Sequence, residues 1–146
     1  MRAAIFDMDG TLADVRSIRH FVNGPVRNFD AFHRASVNVP ANQWVVKRAQ
    51  ALHASGVAIL VVTARVHRFR NHTAWWLAMH DVPSDGLWMR NDDDQRPDFF
   101  VKADILKRIL DLGYTPIRAF DDNPAVIKLW QSHGIPTTIV PGWEAS

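Results

Sequence analysis

Three features of the 146-residue sequence predict an α/β fold of three layers, with helices on both faces of a central, mostly parallel five-stranded sheet. Five short, nearly continuous apolar runs read as strands buried on both faces, as parallel strands are. Segments with apolar residues every three to four positions lie between them and read as helices. Turn and capping residues separate the two kinds of segment, so strand and helix alternate and each crossover returns the chain to one sheet.

Ala3-Ala4-Ile5-Phe6 is the first strand. The stretch 14–39 then breaks the alternation, with turn signals at Asn23-Gly24-Pro25 and Asn38-Val39-Pro40 and no sustained period. It reads as a long, flap-like excursion near the top of strand one, holding a short helix around Ile18 to Val22. From Ala41 to Ser55 the residues Trp44, Val45, Ala49 and Leu52 recur at helical spacing, and Gly56 supplies the left-handed residue that ends a helix. The second strand is Val57 to Val62. Phe69, Thr73, Trp76 and Leu77 form one stripe of the helix 69–80, and Gly86-Leu87-Trp88-Met89 is the third strand. Val101, Ile105, Leu106 and Ile109 mark the next helix, which Gly113 stops before the fourth strand, Ile117-Arg118-Ala119-Phe120. Asn123-Pro124, a capping residue followed by proline at the first helical position, opens a last helix that runs through Val126, Ile127 and Trp130 to Gly134. Thr137-Thr138-Ile139-Val140 is the fifth strand.

Length suits one domain spanning 1–146. A hydrophobic share of 47% and a charged share of 22% are globular values and argue against a disordered or membrane-embedded chain. No apolar run approaches the roughly 18–20 residues of a membrane helix, and the start lacks a signal-peptide core, so a cytoplasmic location is expected. With no cysteine, disulfides, thiolate metal sites and cysteine nucleophiles are excluded. The basic residues are mostly arginine, lysine being confined to Lys47, Lys102, Lys107 and Lys128. The guanidinium fork suits phosphate, and a GC-rich genome gives the same bias. Trp44, Trp75 and Trp143 are read as core residues in preference to surface aromatics that stack on bases.

Ligands of open parallel sheets bind beyond the carboxyl ends of the strands, which directs attention to the polar residues there. Strand one runs into Asp7-Met8-Asp9-Gly10-Thr11, strand two into Thr63-Ala64-Arg65 and strand four into Asp121-Asp122-Asn123-Pro124, while Lys102 begins the helix before strand four. Four carboxylates gathered at one sheet edge are costly unless a cation shares them. An all-oxygen cluster of this kind suits Mg²⁺, which takes one or two carboxylates plus a substrate phosphate. Each residue also has a plainer reading: Asp7 and Asp9 as turn residues, Thr63 as a strand-end threonine, Lys102 (like Lys107) as a solvated helix lysine, Asp122 as a helix cap.

Taken in order, Asp7-x-Asp9-Gly10-Thr11, Thr63, Lys102 and Asp121-Asp122 resemble the four signature motifs of the haloacid dehalogenase (HAD) superfamily across nearly the whole chain. The resemblance implies a Rossmann-like fold and a phosphatase that works through an aspartyl-phosphate. Asp7 is then the nucleophile and Asp9 the acid and base, while Thr63 bonds the phosphoryl group and Lys102 holds Asp7 and the phosphate. Mg²⁺ is then held by Asp7, the Asp9 backbone carbonyl and Asp121, with Asp122 nearby. Gly10 and Thr11 lie in the turn that approaches the phosphate.

Neither gap between motifs is long enough for a cap domain, so the site is expected to be capless or covered only by the small 14–39 flap. The stretch Trp88 to Lys102 and the ending Asp121-Asp122-Asn123-Pro124 with Val126 and Trp130 are similar to the 3′-phosphatase domain of phage-type polynucleotide kinase-phosphatases. That similarity implies a phosphorylated nucleotide or nucleic-acid end as substrate, with Arg65, Arg90 and Arg96 as candidates for backbone phosphates. Local ion pairs with Asp92, Asp93 and Asp94 are the alternative for these arginines. No GxxxxGK[ST] loop is present, so no kinase half is recognisable and the chain reads as a stand-alone phosphatase or an excised domain, with a separate kinase or ligase as a candidate partner. The rival readings are a 5′-nucleotidase or other small-metabolite phosphatase of the same superfamily and a phospho-receiver domain. A receiver places its acceptor Asp after strand three, where this sequence has Arg90.

Overall fold

The computed structural model describes residues 1–142. Strands β1 (Arg2–Phe6), β2 (Ala58–Val66), β3 (Gly86–Arg90), β4 (Thr115–Asp121) and β5 (Thr137–Ile139) form one sheet in the order β3-β2-β1-β4-β5, with every neighbouring pair parallel. The five apolar runs of the sequence are these strands. Because β1 lies at the centre, the chain steps outward to one edge through β2 and β3, then returns to the other side of β1 for β4 and β5. That reversal makes the carboxyl ends of β1 and β4 the switch point of the sheet, where a crevice opens.

Helices α1 (Phe29–Ala35), α2 (Gln43–Ala54), α3 (Arg70–Met79), α4 (Asp98–Asp111) and α5 (Pro124–Ser132) provide the outer layers. One core unites Ala4, Phe6, Ile59 and Val61 with Val45, Val46 and Ala49 of α2 and Trp76 and Leu77 of α3. The opposite face packs Ile5, Leu60, Val62 and Ala119 against Val101, Ile105 and Ile109 of α4 and Val126 and Trp130 of α5. Alternate strand residues thus serve opposite layers, as the two-residue period of a strand requires. Burying a side chain of leucine or valine size contributes roughly 1.5–3 kcal/mol, and both cores rest on many such residues.

The excursion differs from its expected loop. A 3₁₀ turn at Arg16–Phe21 stands where the short helix was expected, but α1 also forms, capped by Asn28, whose side chain accepts the Ala31 N–H at 3.0 Å. Two helical turns are too short to show an apolar period in the sequence. The segment is pinned at its root: Asp14 N–H donates to Pro40 O (2.9 Å), Asn42 N–H donates to Leu12 O (2.8 Å), and the indole of Trp76 donates to Val39 O (2.9 Å). Ile18, Phe32 and Val39 enter the core. Trp44 corrects the expected core face of α2, since Val45, Val46 and Ala49 face inward and Trp44, one position round, is 45% exposed. Trp75 is likewise 49% exposed, and Trp143 lies outside the described residues.

Candidate active site

Asp7 directly follows β1, and its N–H donates to Phe120 O at 3.0 Å, extending the β1–β4 ladder to the crevice. The chain then turns tightly, with Ala13 N–H bonded to Met8 O at 2.9 Å, and Gly10 adopts φ +83°. A β-carbon at Gly10 would lie 2.0 Å from Asp122 Oδ2, so the glycine serves both the left-handed backbone and the approach to Asp122. This turn sends the Thr11 hydroxyl back to donate to Asp7 Oδ2 at 3.0 Å. From the opposite layer, Lys102 Nζ donates to Asp7 Oδ1 at 2.8 Å and to Asp121 Oδ2 at 3.0 Å. Lys102 sits within α4 one turn after its start at Asp98, a little beyond the expected helix start, and is 2% exposed.

Asp121 is the last residue of β4. Its Oδ1 accepts the N–H groups of Asp122 (2.9 Å) and Asn123 (3.1 Å), and its Oδ2 accepts the Trp130 indole N–H at 3.3 Å besides Lys102. The cap of α5 is Asn123, which accepts the Ala125 N–H, so the Asp122 carboxylate is left to the site. Its charged neighbour is Arg19, whose Nη2 lies 3.6 Å from Asp122 Oδ2.

Asp7, Asp121 and Asp122 each offer a carboxylate oxygen, all within 4.8 Å of one another. Burial pushes Asp7 up to about 7 and Asp121 up to about 6, and Asp122 is raised for the same reason. Burial also opposes the charge of Lys102, but Asp121 and Asp7 outweigh it and hold the ammonium protonated above its ordinary range. Three carboxylates thus share two nearby cations, and the remaining negative charge is held at a cost. A hard divalent cation fits this all-oxygen donor set and its charge deficit.

Asp9 turns the other way. Arg65 clasps it with Nε on Oδ2 (2.9 Å) and Nη2 on Oδ1 (2.5 Å), while Nη1 donates to Thr73 Oγ1 at 3.1 Å. Burial alone would raise the Asp9 carboxyl, yet the Arg65 charge and its two hydrogen bonds bring it below the usual range. Thr63 is 1% exposed, and its hydroxyl oxygen accepts the Arg65 N–H at 3.1 Å. β2 continues to Val66, past the expected strand end, where Val66 still pairs with Arg90 of β3.

The three candidate phosphate-binding arginines have other partners. Arg65 is 2% exposed and committed to Asp9 and Thr73. Arg90 donates to the carbonyls of Ala64, Asp94 and Arg96 and to Asp98, which fastens the loop leading into α4. Arg96 reaches Asp94 and Asp104. Trp130 and Arg19 are site neighbours that the sequence reading does not assign to the site. Trp130 is read there as a core residue of the last helix and as part of the family resemblance, and Arg19 lies in the stretch without a period. His33 also lies near Asp9, and burial lowers its imidazole to about 4.

Comparison with known proteins places this arrangement. Residues 1–141 match the family described as the polynucleotide kinase PNKP phosphatase domain. A curated relative, "Putative bifunctional polynucleotide kinase/RNA ligase" of Autographa californica nuclear polyhedrosis virus, is 29% identical over 138 residues, covering 93% of this chain and 19% of its own length. Among solved structures, a chain of a Pnkp1/Rnl/Hen1 complex superposes with a TM-score of 0.82 at 23% identity, covering 95% of this chain and 45% of its own. The class C acid phosphatase of Bacillus anthracis with tungstate bound gives 0.72 at 12% identity, covering 97% and 66%. The chain therefore spans about a fifth of the curated relative and less than half of the first of these structures, and the structural likenesses establish the HAD-type fold.

Proposed function

The chain belongs to the polynucleotide kinase PNKP phosphatase-domain family and is a phosphoric monoester hydrolase of the HAD superfamily; from that premise we propose that it removes 3′-phosphates from nucleic-acid ends or nucleotides, with Asp7 as nucleophile. One observation carries the reading: Asp7, at the switch point of the sheet, is held by Thr11 on one oxygen and Lys102 on the other, beside Asp121 and Asp122.

An Asp7 oxygen attacks phosphorus, and the new bond forms as the bond to the ribose oxygen breaks, leaving an aspartyl-phosphate. Lys102 fixes the attacking carboxylate and adds positive charge where the phosphoryl oxygens come to lie. Thr63, whose hydroxyl oxygen accepts the Arg65 N–H at the end of β2, hydrogen-bonds the transferring phosphoryl group in this reading. Asp9 gives a proton to the departing oxygen and takes one back from the water that cleaves the intermediate. The Arg65 clasp keeps Asp9 ionised, so its carboxyl must leave the clasp to carry a proton. Asp7, the Asp9 carbonyl, Asp121 and Asp122 are the groups that would hold Mg²⁺. Bound there, the ion supplies the charge that lets an anionic phosphate approach an anionic carboxylate.

Residues 1–146 form one phosphatase domain in this reading, acting in the cytoplasm beside a kinase or ligase. No helix among the described residues is long and apolar enough to cross a membrane. The excursion 14–39, rooted in the core, is a small flap, and a site without a cap domain admits a polymer end. Phosphate release from 3′- and 5′-phosphorylated oligonucleotides and from mononucleotides tests the proposal. Selective release from 3′ ends supports it, and preference for free nucleoside 5′-monophosphates rejects it.

A further inference from the structure

We propose that a cavity beside Asp122, walled by Arg19, is a second anion site that holds the phosphate on O5′ of the nucleotide whose 3′-phosphate lies at Asp7. The inference rests on the 3′-phosphatase reading and extends it to the far side of the terminal sugar.

The cavity measures about 310 Å³ and is lined by Gly10, Asp14, Arg16, Arg19, Asn42 and Gly142 among others. Asp7, Lys102 and Asp121 are not in its wall, so an anion there is a different group from the one attacked. It nevertheless joins the site through Gly10, whose carbonyl would lie 3.0 Å from a β-carbon at Gly142. A β-carbon at Gly10 would meet Asp122 Oδ2 at 2.0 Å and Arg19 Nη2 at 3.0 Å, which sets this border of the cavity against the site.

Arg19 gives the cavity its chemistry. Its backbone is fixed, since its carbonyl accepts the N–H groups of Val22 (3.0 Å) and Asn23 (2.9 Å) while neighbouring Ile18 is buried. Its side chain is 15% exposed, and its Nε is buried without a hydrogen-bond partner. Its ion pair with Asp122, at 3.6 Å, exceeds hydrogen-bond distance. A buried donor without a partner is destabilising, and a guanidinium fork matches two oxygens of a phosphate. The acidic member of the wall, Asp14, is already taken by two-point bonding to Arg16. A pocket walled by a guanidinium whose Nε has no hydrogen-bond partner, next to an anionic phosphatase centre, therefore suits a substrate with a second phosphate. That group is either the free 5′-phosphate of a nucleoside 3′,5′-bisphosphate or the phosphodiester of an oligonucleotide.

Binding without turnover separates these. The Asp7→Asn protein, with Mg²⁺, is titrated calorimetrically with thymidine 3′-monophosphate, thymidine 3′,5′-bisphosphate and a dinucleotide bearing a 3′-phosphate. At least one of the last two is expected to bind about tenfold or more tightly than the monophosphate, the scale of one charge-assisted contact. Tight binding of the bisphosphate alone identifies a terminal phosphate, and of the dinucleotide alone a diester. Adding Arg19→Gln removes the advantage, and Arg19→Lys, which keeps charge without the fork, retains part of it. Equal binding of all three ligands, or an advantage that survives Arg19→Gln, overturns the proposal. Tighter binding of thymidine 5′-monophosphate than of any 3′-phosphate instead defeats the 3′-phosphatase reading on which it rests.

Discussion

Replacing Asp7 by asparagine should stabilise the metal-free protein at neutral pH, and the effect should fade in acid. The native Asp7 carboxyl is raised to about 7 from 3.8, so between these values the folded state binds a proton that the unfolded chain has released. Stability contributed by this group is therefore full below about pH 4 and lost as pH rises toward 7. Each unit across that window is worth at most about 1.4 kcal/mol, so the wild type should lose about 2 kcal/mol relative to Asp7→Asn between pH 5 and pH 7. For a domain of this size that is roughly 4–8 °C in melting temperature. His33 acts in the opposite sense: held near 4 against 6.5, it adds stability as pH rises through that interval. Because both proteins carry His33, their difference cancels it. The assay is thermal unfolding in EDTA at pH 5, 6, 7 and 8, repeated with Mg²⁺, which should raise the wild type more than the variant, where Asp121 and Asp122 remain to hold the ion. A gap between the proteins that stays constant with pH, or Mg²⁺ stabilisation equal in both, refutes the charge-deficit reasoning.

Lys102→Met should cost about 3–5 kcal/mol in urea unfolding without metal, because it leaves Asp7 and Asp121 buried together without their ammonium; it should also abolish phosphate release. Gly10→Ala forces a β-carbon to within 2.0 Å of Asp122 Oδ2 at a φ of +83°, and Mg²⁺ titration of activity should show that more Mg²⁺ is required even where the protein remains folded. Trp130→Phe keeps a ring in the core but removes the 3.3 Å hydrogen bond to Asp121, and calorimetry should record a loss of Mg²⁺ affinity on the order of tenfold.

How far such features can be read from the sequence depends on whether their signal is local. Ile5 and Phe6, or Leu60 and Val61, announce buried parallel strands because both faces of each strand are covered, leaving an unbroken apolar run. Asp7 and Asp121 are visible for the same reason, as polar residues directly after such runs. The Asp9–Arg65 clasp is not, since it joins residues 56 apart whose pairing depends on β1 and β2 lying side by side. Nor is the Trp130 bond to Asp121, because a tryptophan on the core stripe of α5 gives no sign that its N–H has a polar partner. Arg90 carries the same lesson. Its charge suggested a phosphate contact, while the folded loop presents it with three carbonyls and Asp98. Trp44 shows the limit of periodicity alone, since a stripe defined by three or four residues can be one position wide of the buried face.

The most direct test of the account is Mg²⁺-dependent phosphate release from a 3′-phosphorylated oligonucleotide by the wild type and by Asp7→Asn, with folding of both checked by circular dichroism. Turnover by the wild type and none detectable in a folded Asp7→Asn protein is the predicted result. Retention of most of the activity by that variant would contradict the assignment of Asp7 as nucleophile.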